Sequence, residues 1–318
     1  MTGQRIKHMK KTIFSFISAL FVLTAVVASP VKNGFDLANS IIPADQILSG
    51  GPPRDGIPAI DTPHFIAASR ADFLQADDRV MGVFLNGEAR AYPIRIMNWH
   101  EIVNDNIKGQ AIVVTFCPLC GSGVVYEANI NGIPYQFGVS GLLYNSDVLL
   151  YDRQTESLWS QILAKGISGK NVNKKLTIIP SAFTTWSDWK KKYPKTRVLS
   201  TTTGFNRDYS RSPYGQYDTN STVYFPVAFK SKKYHPKERV LGVSINGKHK
   251  VYPFSELAKT RGGVYQDELA GRKIRIEFNA QTRDGQIKDE AGNILPSINT
   301  YWFAWYAFHP DSLIFKAK

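Results

Sequence analysis

The segment that begins at Arg79 is written twice in this chain. Arg79-Val80-Met81-Gly82-Val83-Phe84-Leu85-Asn86-Gly87-Glu88-Ala89-Arg90-Ala91-Tyr92-Pro93-Ile94 returns as Arg239-Val240-Leu241-Gly242-Val243-Ser244-Ile245-Asn246-Gly247-Lys248-His249-Lys250-Val251-Tyr252-Pro253-Phe254. Apolar runs flank an Asn-Gly in both copies. That dipeptide is a strong hairpin signal, because both central residues of the tight turn need positive φ. The match resumes after a two-residue slip. Gly109, Ile112, Val114 and Phe116 face Gly271, Ile274, Ile276 and Phe278. Gly123, Val125, Pro134 and Tyr144 then face Gly285, Ile287, Pro296 and Tyr306. Such self-similarity restricts the chain to folds made from two copies of one supersecondary unit.

The expected fold class is therefore α+β and β-rich, with two tandem related β units and a long insert between them. Each unit reads as hairpin, short helix and strands. The expected organisation is a signal peptide over 1–28 and an N-terminal extended segment over 29–78. The first unit with its insert follows over 79–235, and the second, degenerate unit over 236–318. In the first unit a helix is predicted over 94–103. A continuous apolar strand is predicted over 111–116, with further strands over 124–128 and 134–139 around Asn131-Gly132. The insert, from 140 to 235, contains a predicted helix over 181–193 with Ser181 as its cap and Pro194 at its end. The stretches 49–56 and 200–220 read as loop from their Gly, Pro, Ser and Thr content.

The amino terminus reads as an export address. Arg5, Lys7, Lys10 and Lys11 precede an apolar run from Ile13 to Val27, and Val26-Val27-Ala28 offers small residues for cleavage. The run is short for a membrane span, and no second long apolar stretch follows, so no span is expected in the mature chain. The expected location is the periplasm or the exterior. The formal net charge is +13; loss of residues 1–28 removes four positive charges and no acid, leaving +9. The excess is dispersed, no nucleic-acid motif is present, and nucleic acid is not an expected partner.

Two cysteines, Cys117 and Cys120, stand three residues apart in Cys117-Pro118-Leu119-Cys120. A disulfide here closes a tiny loop and restrains little chain entropy, which makes it a poor staple. Close spacing points to redox chemistry or metal ligation. A thioredoxin-type site needs a helix after the first cysteine, whose dipole stabilises the thiolate. Here Gly121-Ser122-Gly123 and β-branched residues follow, so a returning strand is expected. That pattern suits a metal knuckle at a strand end. Cys117 and Cys120 supply two ligands, and His100, on the helix before the cysteine strand, is the nearest third. Two thiolates and an imidazole suit copper first and zinc second, and an open fourth position permits catalysis, oxidoreductase chemistry included. His64, His235, His249 and His309 show no ligand spacing.

A polar and aromatic stretch follows, from Ser140 to Asp147, Tyr151 to Glu156, and Trp159-Ser160-Gln161. One reading is a surface ion-pair cluster of Asp152, Arg153 and Glu156. The other is a pocket wall beside the cysteines, with Tyr144, Asp147 and Trp159 lining it, Asp147 or Asp152 as acid, base or ligand, and Arg153 holding an anion.

At these residues the chain resembles the bacterial family DUF3179, a domain of unknown function. The matching words include Gly50-Gly51-Pro52-Pro53-Arg54-Asp55-Gly56-Ile57-Pro58, Asn98-Trp99-His100-Glu101-Ile102-Val103-Asn104-Asp105, Phe116-Cys117-Pro118-Leu119-Cys120-Gly121, Tyr151-Asp152-Arg153-Gln154-Thr155 and Trp302-Phe303-Ala304-Trp305. The family name implies no activity. It places His100, Cys117, Cys120, Asp147, Asp152 and Arg153 within the family's motifs.

The expected function is an exported metal-binding protein taking a metal ion or a small molecule. The first alternative is a thiol-disulfide enzyme with Cys117 as nucleophile and Cys120 resolving it. The second is a non-catalytic binding module that uses its aromatic surface. In the alignment of the two units Asn279 and Thr282 stand where Cys117 and Cys120 do. The second unit is therefore expected to be a structural partner that helps wall the site.

Overall fold

A computed structural model describes residues 1–2, 30–259 and 262–317. The basic cluster, apolar run and cleavage site expected at the amino terminus lie outside the described residues. The fold is β-rich, with four short α-helices among the described residues. None of these is long and apolar enough to cross a membrane.

Two hairpins organise the molecule. Arg79–Leu85 pairs with Glu88–Pro93, and Arg239–Ile245 pairs with Lys248–Pro253. Asn86 and Gly87 turn at φ +51° and +76°, Asn246 and Gly247 at +49° and +74°. The glycine inside each first strand has a packing reason. A Cβ on Gly82 would lie 2.3 Å from the Trp189 ring, and one on Gly242 would lie 2.0 Å from the Trp305 ring. Each indole fills the space that a side chain would take. Each also donates its N–H to a hydroxyl seven residues on, Trp189 to Thr196 and Trp305 to Ser312, both at 2.9 Å.

These tryptophans reveal a longer correspondence than the one read from the hairpins. Ala182–Thr185 lies antiparallel to the first strand of the first hairpin, leads into the helix Trp186–Lys192, and is followed by Arg197–Leu199, parallel to the second strand. Ile298–Tyr301, the helix Trp302–Phe308 and Leu313–Ile314 repeat those pairings on the second hairpin. The segment 182–199, placed within the insert by its sequence, thus packs on the first hairpin as 298–314 packs on the second. The helix expected over 181–193 is a strand followed by a shorter helix. Thr184 and Thr185 join the sheet, and Thr185 caps the helix by accepting from the Asp188 amide. The match of Tyr144 to Tyr306 also fails. Tyr144 ends a strand, whereas Tyr306 lies on a helix whose positional counterpart is Trp186–Lys192.

After each hairpin come a helix and three antiparallel strands. In the first half these are Ile94–His100, Ile102–Ile107, Gln110–Cys117 and Ser122–Glu127. In the second they are Phe254–Leu257, Val264–Leu269, Arg272–Asn279 and Asp284–Asp289. The first helix stops at His100, short of 103. Glu101 turns to φ +58°, and the β-branched Ile102 and Val103 pair with Thr115 and Val114. The halves interlock. Ile298–Tyr301 joins Ser122–Glu127 through the pair Asn299 and Gly123, so one sheet runs from the C-terminal strands to the cysteine strand. Arg239 reaches the turn after the cysteines by donating to Gly121 O at 2.6 Å. Reciprocally, Arg79 donates to Thr282 O and Arg283 O in the corresponding turn of the second half.

A five-stranded sheet covers the open side of the cysteine strand. Its order is Lys165–Ser168, Leu158–Ser160, Asp147–Asp152, Phe137–Tyr144 and Leu48–Ser49. The strand expected over 134–139 begins at Phe137 and runs on to Tyr144, with a bulge at Ser140-Gly141. The loop 49–56 is tied to that bulge. Gly50 donates to Gly141 O at 2.8 Å, and Asp55 donates to Val139 O at 2.9 Å. A Cβ on Gly141 (φ +71°) would meet Pro52 O at 2.2 Å, so only glycine allows this approach.

Candidate functional site

Cys117 ends its strand opposite Ser122, and Pro118 to Gly121 form the turn. Gly121 sits at φ +58°, and a Cβ there would lie 2.6 Å from the Tyr301 ring. Both facts require glycine. The second half occupies the outward carbonyls of the turn. Cys120 O accepts from the Tyr301 amide and the Thr300 hydroxyl, each at 2.9 Å, and Gly121 O accepts from Arg239. The knuckle is held by the backbone while both sulfurs stay buried and free of any disulfide.

Facing the sulfurs is the turn Asn145-Ser146, between Phe137–Tyr144 and Asp147–Asp152. Both residues have positive φ, +52° and +66°. Serine adopts this region at a cost, which neighbouring contacts offset. Asn145 is held from both sides, donating to Ala307 O at 3.2 Å and accepting from the Ala228 amide at 2.8 Å. The turn presents Ser146 O to both thiols. Cys120 Sγ lies 3.2 Å from it and Cys117 Sγ 3.9 Å. The next residue, Asp147, is fully buried, and its carboxylate and both sulfurs lie within 4.8 Å of one another. One Asp147 oxygen, Oδ2, accepts from the Ile162 amide at 3.1 Å. The other, Oδ1, is buried with no hydrogen-bond partner, as is the hydroxyl of Ser146.

The electrostatics follow from burial. Desolvation pushes the Asp147 carboxyl up to about 8 against hydrogen bonds from Ile162, Cys120, Val148 and Cys117. Burial raises the Cys117 thiol, and it raises Cys120 well above the ordinary range, with Cys117 adding to it. Without a cation the three groups keep their protons near neutral pH. A cation is near: Lys237, only 6% exposed, donates to Thr222 O at 2.7 Å and sits 3.2 Å from the centre of the Tyr217 ring. Burial lowers its amine to about 8, and Cys120 acts in the opposite direction. The Tyr217 hydroxyl is buried without a partner, and its pKa is raised by burial and then by Cys120 and Cys117. Behind the cysteine strand Gln161 closes a polar network. It accepts from Ser122 Oγ at 2.5 Å and donates to Thr115 Oγ1 at 2.9 Å.

Among the described residues the metal-capable cluster of His, Cys, Asp and Glu side chains is Cys117, Cys120 and Asp147. His100, expected as the third ligand, has both ring nitrogens in use, Nδ1 with Pro58 O at 2.8 Å and Nε2 with the Tyr209 hydroxyl at 2.6 Å. Burial lowers its pKa, consistent with a neutral ring that donates to Pro58 and accepts from Tyr209. It packs as a satisfied core residue, and Asp147 stands where the third donor was sought. Asp152 sits at the far end of its strand from Asp147, about 16 Å away at ~3.3 Å per residue. Its carboxylate is saturated by the Thr155 amide, Trp159 Nε1 and Asn171 Nδ2, at 2.6, 2.8 and 3.1 Å. Arg153 binds Asp55 at 3.3 Å and Asp61 at 3.2 Å. Both residues brace loops rather than face the sulfurs. Trp159 is core, packed edge-on against Phe137. Tyr144 is half-buried against Phe308 and lines a surface groove near Leu48.

The sequence reading named neither Tyr217 nor Lys237 as a site residue; both lie on an irregular crossing segment where no periodicity marks burial.

Fold and site together define a β-rich protein with a buried cluster of two cysteines and an aspartate that can hold a metal ion. The chain belongs to the family described as protein of unknown function (DUF3179), which matches residues 54–291, most of the chain. No curated protein and no solved structure matches it.

Proposed function

We propose that this protein is an exported metal-binding protein in which Cys117, Cys120 and Asp147 hold one ion. The observation that supports this most is the buried Asp147 Oδ1, left without a partner within 4.8 Å of two free thiols. Orphaned polar atoms are rare in interiors, and a ligand explains one better than an empty site does. The donor spacing suits it. Two sulfurs and an oxygen around a tetrahedral ion stand roughly 3.5–3.8 Å apart, so the cluster needs little contraction. With an oxygen donor in place of the expected imidazole, the set favours zinc over copper(I), since a carboxylate is a harder ligand.

Two thiolates and a carboxylate leave a bound dication with one excess negative charge, which the Lys237 ammonium beside Cys120 offsets. Cys117, Cys120 and Asp147 would hold the ion, and a zinc bound there would supply Lewis-acid chemistry. The raised thiol pKa values weigh against the thiol-disulfide alternative, because reactive cysteines have depressed ones.

The test is elemental analysis of protein purified without a metal-affinity tag. The expected result is about one zinc per chain, lost in Cys117→Ser and much reduced in Asp147→Asn. Metal-free wild type with two titratable thiols would overturn the reading in favour of a dithiol. Export is tested on the same preparation: an amino terminus beginning near Ser29 is expected, and an intact one counts against it.

A further inference from the structure

A cavity of about 280 Å³ lies beside the knuckle and is walled almost wholly by apolar groups. Leu119, from between the two cysteines, forms one side, and Val148, next to Asp147, another. Ile57 and Leu143 line it from the Gly-Pro loop and the bulged strand, and Phe225 lines it from the crossing segment. Its size suits a molecule of about ten non-hydrogen atoms, at the small end of ligand pockets.

One carboxyl enters this apolar space. Glu101 lines the cavity and is only 6% exposed. Its Oε1 accepts from the Tyr214 hydroxyl at 2.9 Å. Its Oε2 accepts no side-chain hydrogen bond from a described residue and keeps some exposure. The backbone is committed to this placement. Glu101 caps the helix Ile94–His100 in the left-handed conformation, where glycine or asparagine is usual. Its carbonyl is held by the Phe116 amide at 2.8 Å. The left-handed backbone at Glu101 carries a cost that a glycine would avoid, which sets this side chain apart from an ordinary helix cap.

We propose that this cavity binds a small apolar molecule whose polar end donates a hydrogen bond, an alcohol or an amine, to Glu101. The apolar walls take the body, and the free carboxylate oxygen takes the head. A carboxyl that burial pushes up to about 7 accepts from a hydroxyl or pairs with an ammonium at neutral pH. Above that value it is charged and repels an anionic head. The cavity lies beside the cysteines, since Leu119, from between them, and Glu101 both line it. The inference rests on the cavity and holds with or without a metal at the cluster.

The experiment is calorimetric titration of the full chain, as purified, at pH 8.5, where Glu101 is charged, with hexan-1-ol, hexylamine and hexanoate. Hexanol and hexylamine should bind, and hexanoate should bind at least tenfold more weakly, because its carboxylate would face Glu101. Glu101→Gln should weaken hexylamine at least tenfold and narrow its lead over hexanoate. Ile57→Trp, at a half-buried position on the cavity wall, should abolish binding of all three while the protein stays folded by circular dichroism. This second variant carries the test if Glu101→Gln does not fold. Equal binding of the three probes by wild type, binding of none, or binding unchanged in Ile57→Trp would each overturn the proposal.

Discussion

Replacing Asp147 by Asn should change stability in opposite directions with and without metal. Burial holds the folded-state carboxyl at about 8, whereas an unfolded aspartate titrates near ~3.9. Between those values the folded state binds more protons than the unfolded one. Stability therefore falls as pH rises through the window, by about 1.4 kcal/mol per pH unit, and no loss remains below about pH 4. The accumulated loss is about 1.5 kcal/mol at pH 5 and about 5 kcal/mol at pH 7.5. Asparagine has no charge to suppress and escapes this loss. In chelator, Asp147→Asn should therefore gain on wild type by about 3 kcal/mol between pH 5 and pH 7.5 and be the more stable protein at the upper value. Saturating zinc should reverse the order at pH 7.5, because wild type alone keeps all three donors. Zinc at a hundred-thousandfold excess over Kd adds about 7 kcal/mol to the state that binds it, more than the loss of about 5 kcal/mol it must offset. Urea denaturation of both proteins at the two pH values, in chelator and in zinc, measures all four terms. A gap that ignores pH in chelator would refute the burial argument. An Asp147→Asn variant less stable under every condition would refute the assignment of this carboxyl as a group waiting for a cation.

His100→Ala should cost about 1–3 kcal/mol of stability by leaving Pro58 O and the Tyr209 hydroxyl without their partner. Metal content by elemental analysis should not change, and its loss would restore the imidazole as a ligand. Gly82→Ala and Gly242→Ala should each cost at least about 1–3 kcal/mol, since the new methyl lands on the Trp189 or Trp305 ring. Tryptophan fluorescence during denaturation reads both, and a neutral outcome at either position would show that the indole moves aside freely.

The readings that held were local ones. Asn86-Gly87 and Asn246-Gly247 specify hairpins through their own φ preferences, whatever the rest of the chain does. Gly121-Ser122-Gly123 followed by β-branched residues excluded a helix after the cysteines, and Ser122–Glu127 is a strand. The readings that failed depended on partners far along the chain. Thr184 and Thr185 look like the start of a helix until Val80 and Arg79 are placed beside them as a sheet edge. His100 is near the cysteines in sequence, yet Pro58 and Tyr209 decide what its nitrogens do.

The sequence by itself determined that two similar hairpins exist, that a Cys-x-x-Cys turn lies at the end of a strand in the first half, and that Asn279 and Thr282 align with the cysteines in the second. Turn chemistry and apolar periodicity act over a few residues, so they can be read along a single chain. Only the tertiary structure decided the third member of the cluster. Asp147 reaches the sulfurs because a hairpin turn held by Ala228 and Ala307 swings it there, and its carboxyl is perturbed because surrounding strands remove the water. Burial and convergence are properties of the whole packed chain, so they leave no mark on the residues next to Asp147 in sequence.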